Sequence, residues 1–241
     1  MIHTGMKYIF DVDGTLTPSR KKIDKEFQEW FSDFCDESDV YIVSGSDRAK
    51  TIEQIGEEIY YKLKRAYQCS GNDVWEGDAN IRTKHITLPE DCEDFLNNIL
   101  EESAFPHKTG THIEKRAGLV NFSIVGRQCD EKQRREYMSW DKKTHERLKI
   151  KDFLNKKFPN IVVSIAGDTG VDITLPNFGK DQILSDFENF DVSFFGDKTE
   201  EGGNDHDIYE ATLYHTDYSM SYSVTGWRET WEVLKFLKVQ R

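Results

Sequence analysis

Two aspartates, Asp11 and Asp13, stand just after a short apolar run, Tyr8-Ile9-Phe10, and directly before Gly14. Such a run suits a strand buried in a parallel sheet, and Gly14 ends it. Side chains two apart in extended chain point the same way, so both carboxylates leave the strand end together while Val12 faces the packing side. Two acids so placed can hold one Mg²⁺. Against a phosphate neutralised by that ion, one carboxylate can attack phosphorus and the other can move a proton to and from a sugar oxygen. Asp-Gly also makes ordinary turns. The continuation Thr15-Leu16-Thr17 and the partner segments below favour a phosphoryl-transfer site.

A second acidic segment lies far along the chain. Phe194-Phe195-Gly196-Asp197-Lys198-Thr199, followed by Gly202-Gly203-Asn204-Asp205-His206-Asp207, reads as a strand ending in an acid and a glycine-permitted loop bearing more. It can complete an oxygen-ligand metal site beside Asp11. Asp207 and His206 read as ordinary loop residues. Ser44 and Ser46 follow another apolar run and can donate to a phosphate oxygen, while Asp47 reads as a helix cap. Arg116, Arg127 and Arg134, with Asn121 among them, gather near one pair of strands. Guanidinium forks meet phosphate bidentately, so three together form a candidate anion clamp, where one alone would be a surface arginine.

These groups need elements to position them. Ile23, Phe27, Trp30, Phe31 and Phe34 follow helical spacing and read as core; Val40-Tyr41-Ile42-Val43 reads as a second buried strand, and Ile52, Ile55 and Ile59 mark another helix. A β-α-β-α start predicts an α/β fold with a doubly wound parallel sheet, whose ligands sit beyond the carboxyl ends of its strands. Asp11 and Ser44 both fall there. From about residue 80 the texture changes: a helix carrying Cys92, Phe95, Leu96, Ile99 and Leu100, alternating segments at 118–125 and 161–165, and a charged helical stretch over 130–157. An α+β block interrupting an α/β pattern reads as an inserted cap domain, dividing the chain into core 1–79, cap 80–178 and core 179–241. The parallel pattern resumes with a helix at 180–187, strands at 192–195 and 221–224, and a last helix containing Trp231, Leu234 and Leu237.

The motif Asp11-Val12-Asp13-Gly14-Thr15-Leu16-Thr17 resembles the first motif of haloacid-dehalogenase-type phosphotransferases. That resemblance implies Asp11 as the nucleophile forming an aspartyl-phosphate, and Asp13 as the general acid/base with its backbone carbonyl on the metal. It places Ser44 at the second motif. Lys180 falls at the third, where an ammonium offsets the charge of the aspartyl-phosphate. Asp197 becomes the direct Mg²⁺ ligand, with Asn204 and Asp205 ligating or one shell out.

The cap segment narrows the resemblance to eukaryotic-type phosphomannomutases. Arg116, Gly118, Asn121, Gly126, Arg127 and Arg134 match the spacing of R-x-G-x-x-N-x-x-x-x-G-R with a further Arg seven on, and Arg20 and Phe194-Phe195-Gly196-Asp197-Lys198-Thr199 match as well. By this resemblance Arg20, Ser44, Arg116, Asn121, Arg127, Arg134, Gly170 and Asp172 bind substrate, and a homodimer forms through the cap. The chain departs from the family at Gly170-Val171-Asp172, where the family has S-F-D, at 174–179, and in the loop after Asp207 that builds an additional cation site. These departures bear on the sugar more than on the chemistry.

A net charge of −12 over 241 residues argues against nucleic acid or an anionic membrane as partner, so anionic substrates must be met by a few local arginines. Cys35, Cys69, Cys92 and Cys129 form no C-x-x-C pair, which fits reduced thiols in a cytoplasmic protein better than a disulfide or zinc framework. No signal-like or membrane-spanning run occurs, and the residues before Met6 read as a dispensable extension.

Three functions follow as expectations. The first is a mutase interconverting mannose 6-phosphate and mannose 1-phosphate, and glucose phosphates too, with Mg²⁺ and a hexose 1,6-bisphosphate activator, the cap excluding water from the aspartyl-phosphate. The alternative is a sugar-phosphate phosphatase. The third is a non-catalytic sugar-phosphate-binding or assembly protein, against which the joint presence of Asp11, Asp13, Lys180 and Asp197 counts.

Overall fold

The computed structural model describes residues 5–19 and 21–239, so Arg20 lies outside the described residues. Strand β1 (Lys7–Phe10) is buried along Tyr8, Ile9 and Phe10, as an apolar run in mid-sheet must be. Helix α1 (Lys25–Glu37) follows, capped by Asp24, whose carboxylate accepts from the backbone N–H groups of Glu26 and Phe27. Its Phe27, Phe31 and Phe34 pack against Tyr8 and Phe10. Then come β2 (Asp39–Val43), α2 (Arg48–Ile55), α3 (Glu57–Lys62), β3 (Arg65–Gln68), β4 (Asp73–Glu76) and β5 (Ala79–Thr83).

The next segment forms a unit of its own, Lys84–Pro176. It contains α4 (Cys92–Glu102), β6 (Ile113–Arg116), β7 (Leu119–Ser123), α5 (Glu131–Thr144), α6 (Glu146–Lys157), β8 (Val162–Ala166) and β9 (Gly170–Thr174). Its sheet runs β6-β7-β9-β8, antiparallel throughout. Val120, Phe122, Val171 and Ile173 are buried with Leu96, Tyr137, Ile150 and Leu154 of the helices. The unit begins at Lys84 rather than near residue 80, because β5 is hydrogen-bonded to β4 and extends the first unit's sheet.

The chain returns to the first unit through a 3₁₀ helix, Lys180–Phe187, then β10 (Val192–Gly196), α7 (His206–Leu213), β11 (Met220–Ser223) and α8 (Trp227–Val239). The seven-stranded sheet is ordered β11-β10-β1-β2-β3-β4-β5, with parallel pairs from β11 to β3 and an antiparallel β3-β4-β5 end. The doubly wound sheet expected from the sequence is therefore present. From β1 the chain builds one side through β2 and β3 and later the other through β10 and β11. The reversal of strand order falls at β1, and such a switch point opens a crevice at the carboxyl ends of the strands. Among the described residues no helix is long and apolar enough to cross a membrane.

Candidate active site

Asp11 is the first residue beyond β1, and its backbone N–H donates to the carbonyl of Phe195 on β10 at 2.9 Å. The rest of the motif folds back on Val12, whose carbonyl accepts from the N–H groups of Leu16 and Thr17 at 3.0 and 3.1 Å and from the Thr17 hydroxyl at 3.2 Å. Gly14 sits at φ 103°, and a Cβ there would stand 2.1 Å from Asp197 Oδ2. Glycine is required because the loop after β10 presses its carboxylate against the backbone of the loop after β1.

Asp11, Asp197 and Asp205 bring one oxygen each to within 4.8 Å of one another. Lys180 lies against them, fully buried, with Nζ donating to Asp11 Oδ1 at 2.5 Å and to Asp205 Oδ1 at 2.6 Å. Asp205 Oδ2 accepts from the Lys198 N–H at 3.2 Å. Asp11 Oδ2 is buried with no hydrogen-bond partner. Burial raises the Asp11 carboxyl from its ordinary 3.8 to about 6, against the pull of Lys180 and with the push of the Asp205 charge. Asp197 is raised for the same reasons, burial first and Asp205 second. Burial alone would lower the Lys180 ammonium, but Asp11 and Asp205 outweigh it and hold it above its usual value. An orphaned buried carboxylate oxygen among three converging acids fits a divalent cation with oxygen ligands.

Asp13 is half-buried, and its Oδ1 accepts from Gln54 Nε2 at 3.1 Å. Gln54 was not singled out from the sequence. It also reaches Thr17 and the Lys21 carbonyl, so it holds the motif's loop from α2. Its signal is a buried amide on a helix face otherwise carrying Thr51 and Ile55 to the interior. Ser44, at the end of β2, is buried, and its Oγ accepts from the Ser46 N–H at 3.0 Å, which leaves the hydroxyl hydrogen to donate. Asp47 caps α2 by accepting from the Lys50 N–H at 2.8 Å. Asn204 is exposed in the loop beside Asp205, and His206 Nδ1 meets the Thr199 carbonyl at 3.0 Å.

The second unit has its own polar face. Residues paired across antiparallel strands point to one side, so the pairings Glu114–Asn121, Asn121–Asp172 and Ser123–Gly170 set Glu114, Arg116, Asn121, Gly170 and Asp172 on the face opposite Val120, Phe122, Val171 and Ile173. Asn121 Nδ2 donates to Asp172 Oδ1 at 2.7 Å, and its buried Oδ1 has no partner. A Cβ at Gly170 would meet Asn121 Nδ2 at 2.7 Å. Arg116 and Arg127 both approach Glu114, while Arg134 pairs with Asp168 at 3.8 Å.

The family model described as eukaryotic phosphomannomutase matches residues 27–239. A phosphomannomutase of Triticum aestivum is 32% identical over 235 residues, covering 94% of this chain and 92% of its own. One of Dendrobium officinale is 34% identical over 223 residues, covering 88% of each. Among solved structures, a haloacid dehalogenase-like hydrolase from Bacteroides thetaiotaomicron superposes with a TM-score of 0.65 over 97% of this chain and 100% of that one, at 12% identity. That last likeness speaks for the fold alone.

Proposed function

The chain belongs to the eukaryotic phosphomannomutase family, and on that premise we propose that it interconverts mannose 6-phosphate and mannose 1-phosphate, and glucose phosphates with them. The observation that carries the reading is the convergence of one oxygen each from Asp11, Asp197 and Asp205 to within 4.8 Å, together with a buried, unpartnered Asp11 Oδ2 and the buried Lys180 ammonium on the other Asp11 oxygen. Asp11, Asp197 and Asp205 would hold Mg²⁺, with the Asp13 carbonyl and Asn204 beside them; when bound, the ion screens the charge of the phosphate.

Asp11 carries the phosphoryl group as an aspartyl-phosphate. In transfer, the Asp11–phosphorus bond breaks as the sugar hydroxyl oxygen bonds to phosphorus, and Asp13 takes that hydroxyl's proton. A hexose 1,6-bisphosphate results. Turned end for end, it returns its other phosphate to Asp11, and Asp13 gives the proton back to the departing sugar oxygen. Lys180 offsets the charge on Asp11, and the Ser44 hydroxyl donates to a phosphate oxygen. Arg116, Arg127, Arg134, Asn121 and Asp172 of the second unit, with Gly170 leaving room beside Asn121 and Arg20 as a further contact, take the non-reacting end of the sugar phosphate.

A bisphosphate primer follows, because the cycle starts only from phosphorylated Asp11. Four free cysteines among the described residues fit a cytoplasmic location, and the half-exposed Val162 and Ile165 on the edge strand β8 fit a homodimer through the second unit. The test is incubation with mannose 1-phosphate, Mg²⁺ and a hexose 1,6-bisphosphate, quantifying isomer against released phosphate. Isomer is expected; mannose and free phosphate alone would establish a phosphatase instead.

A further inference from the structure

Glu114 has no part in that scheme. It lies on β6, two residues before Arg116, and pairs across the hairpin with Asn121. Its Oε2 accepts from Arg116 Nε at 2.9 Å and from Arg116 Nη2, and lies 3.0 Å from Arg127 Nε. Two guanidiniums that would repel each other converge on one carboxylate oxygen. Gly126 permits the convergence. At φ 84°, with a would-be Cβ only 1.9 Å from the Thr109 carbonyl oxygen, it turns the chain after β7 so that the Arg127 N–H donates to the Thr111 carbonyl and its side chain returns to β6.

Glu114 engages Arg116 through Nε and Nη2 and Arg127 through Nε, so among the described residues Nη1 of Arg116 and both Nη groups of Arg127 are left to other acceptors. A phosphate needs donors of that kind, side by side and held still. The side chains of Arg116, Arg127 and Glu114 are 39%, 36% and 36% exposed, and ion pairs so open to water add little to stability. The fold itself therefore gains little from the trio.

We propose that Glu114 is a positioning residue for the anion-binding arginines: it gathers Arg116 and Arg127 by their Nε edges and turns their Nη edges toward the phosphate of the sugar substrate. The role rests on the reading of those arginines given above. Glu114 touches no substrate atom; it lowers the freedom the two long side chains would otherwise lose on binding.

The test uses the full chain with Mg²⁺ and bisphosphate, and adds calorimetric titration of hexose phosphate so that affinity is read without turnover. Glu114→Gln is expected to raise KM and Kd about tenfold while kcat stays within about twofold, with the thermal midpoint unchanged. In an Arg127→Ala background the same substitution is expected to add almost nothing, because there is no longer a pair to gather. Binding by Glu114→Gln equal to or tighter than that of the native chain overturns the proposal. So does a loss that lowers the thermal midpoint and simply adds to that of Arg127→Ala, which marks a structural carboxylate. If Arg116→Ala and Arg127→Ala leave KM and Kd unchanged, the reading of the arginines fails; if they weaken binding and Glu114→Gln does not, only the role of Glu114 fails.

Discussion

Removing the Lys180 ammonium tests the physics of the site most directly. Its side chain is 1% exposed and bridges Asp11 and Asp205 at 2.5 and 2.6 Å. Methionine has similar length and no charge, so Lys180→Met keeps the packing and strands two buried carboxylates. Removing one partner of a buried pair costs about 3–5 kcal/mol, because the remaining charge stays desolvated. Protonation limits that loss. Folded Asp11 titrates at about 6, above its ordinary 3.8, with Lys180 pulling it down. Without Lys180 it moves higher still. A carboxyl that binds its proton more tightly in the folded state loses stability as pH rises through its folded value, so the variant's deficit is largest above that value and shrinks below it. In chelator, with a urea m-value of about 3 kcal/mol/M, the midpoint is expected to fall by about 1–1.7 M at roughly pH 7.5. At about pH 5 the fall is expected to be less than half as large. Adding Asp11→Asn should restore most of it. A loss under about 1 kcal/mol at the higher pH, or one that grows as pH falls, would refute the reasoning.

Three further outcomes follow from the same geometry. In the metal-free protein the rise of Asp11 from 3.8 to about 6 amounts to roughly 3 kcal/mol of penalty above about pH 6 and none below about pH 3.8. Mg²⁺ should therefore raise the thermal midpoint more at about pH 7.5 than at about pH 5, and an equal rise at both would count against pairing with Asp11. Gly14→Ala puts a methyl 2.1 Å from Asp197 Oδ2 at φ 103°, so the midpoint's response to Mg²⁺ should vanish and kcat fall about a hundredfold or more; a native response sinks the steric argument. Gly170→Ser places Cβ 2.7 Å from Asn121 Nδ2 and should swing that amide off Asp172, raising KM for hexose phosphate about three- to tenfold with the fold intact; steady-state kinetics showing native KM would refute it.

The elements that carry the site were legible because burial on both faces leaves an unbroken apolar run, as in β1, β2 and β10. The antiparallel end of the sheet was not. Strands β3 and β4 read Arg-Ala-Tyr-Gln and Asp-Val-Trp-Glu, and charge pairing supplements alternation there: Arg65 meets Glu76 at 2.6 Å, and Arg65, Tyr67 and Arg82 all reach Asp186. A hydrophobic pattern cannot report strands held partly by ions. Strand β9 was hidden too, since Gly170 and Asp172 break the apolar texture on the face that carries Asn121.

At the site itself, the nearness of Asp11 and Asp197 followed from topology, since adjacent parallel strands end at one edge. The roles of Lys180 and Gln54 could not be read from periodicity, for their partners are fixed by burial and not by spacing: a buried charge or amide must find a complement wherever the fold offers one. Charge balance then selects the ligand. Asp11, Asp197 and Asp205 ionised carry three negative charges, and Lys180 is the buried cation against them, with Lys198 pulling on Asp197 from an exposed position. Two negative charges are left over. The raised Asp11 and Asp197 show one way to remove that excess, by taking up protons. A divalent cation would remove it without protonating the carboxylate proposed as nucleophile, so such an ion fits the proposed phosphoryl transfer near neutral pH.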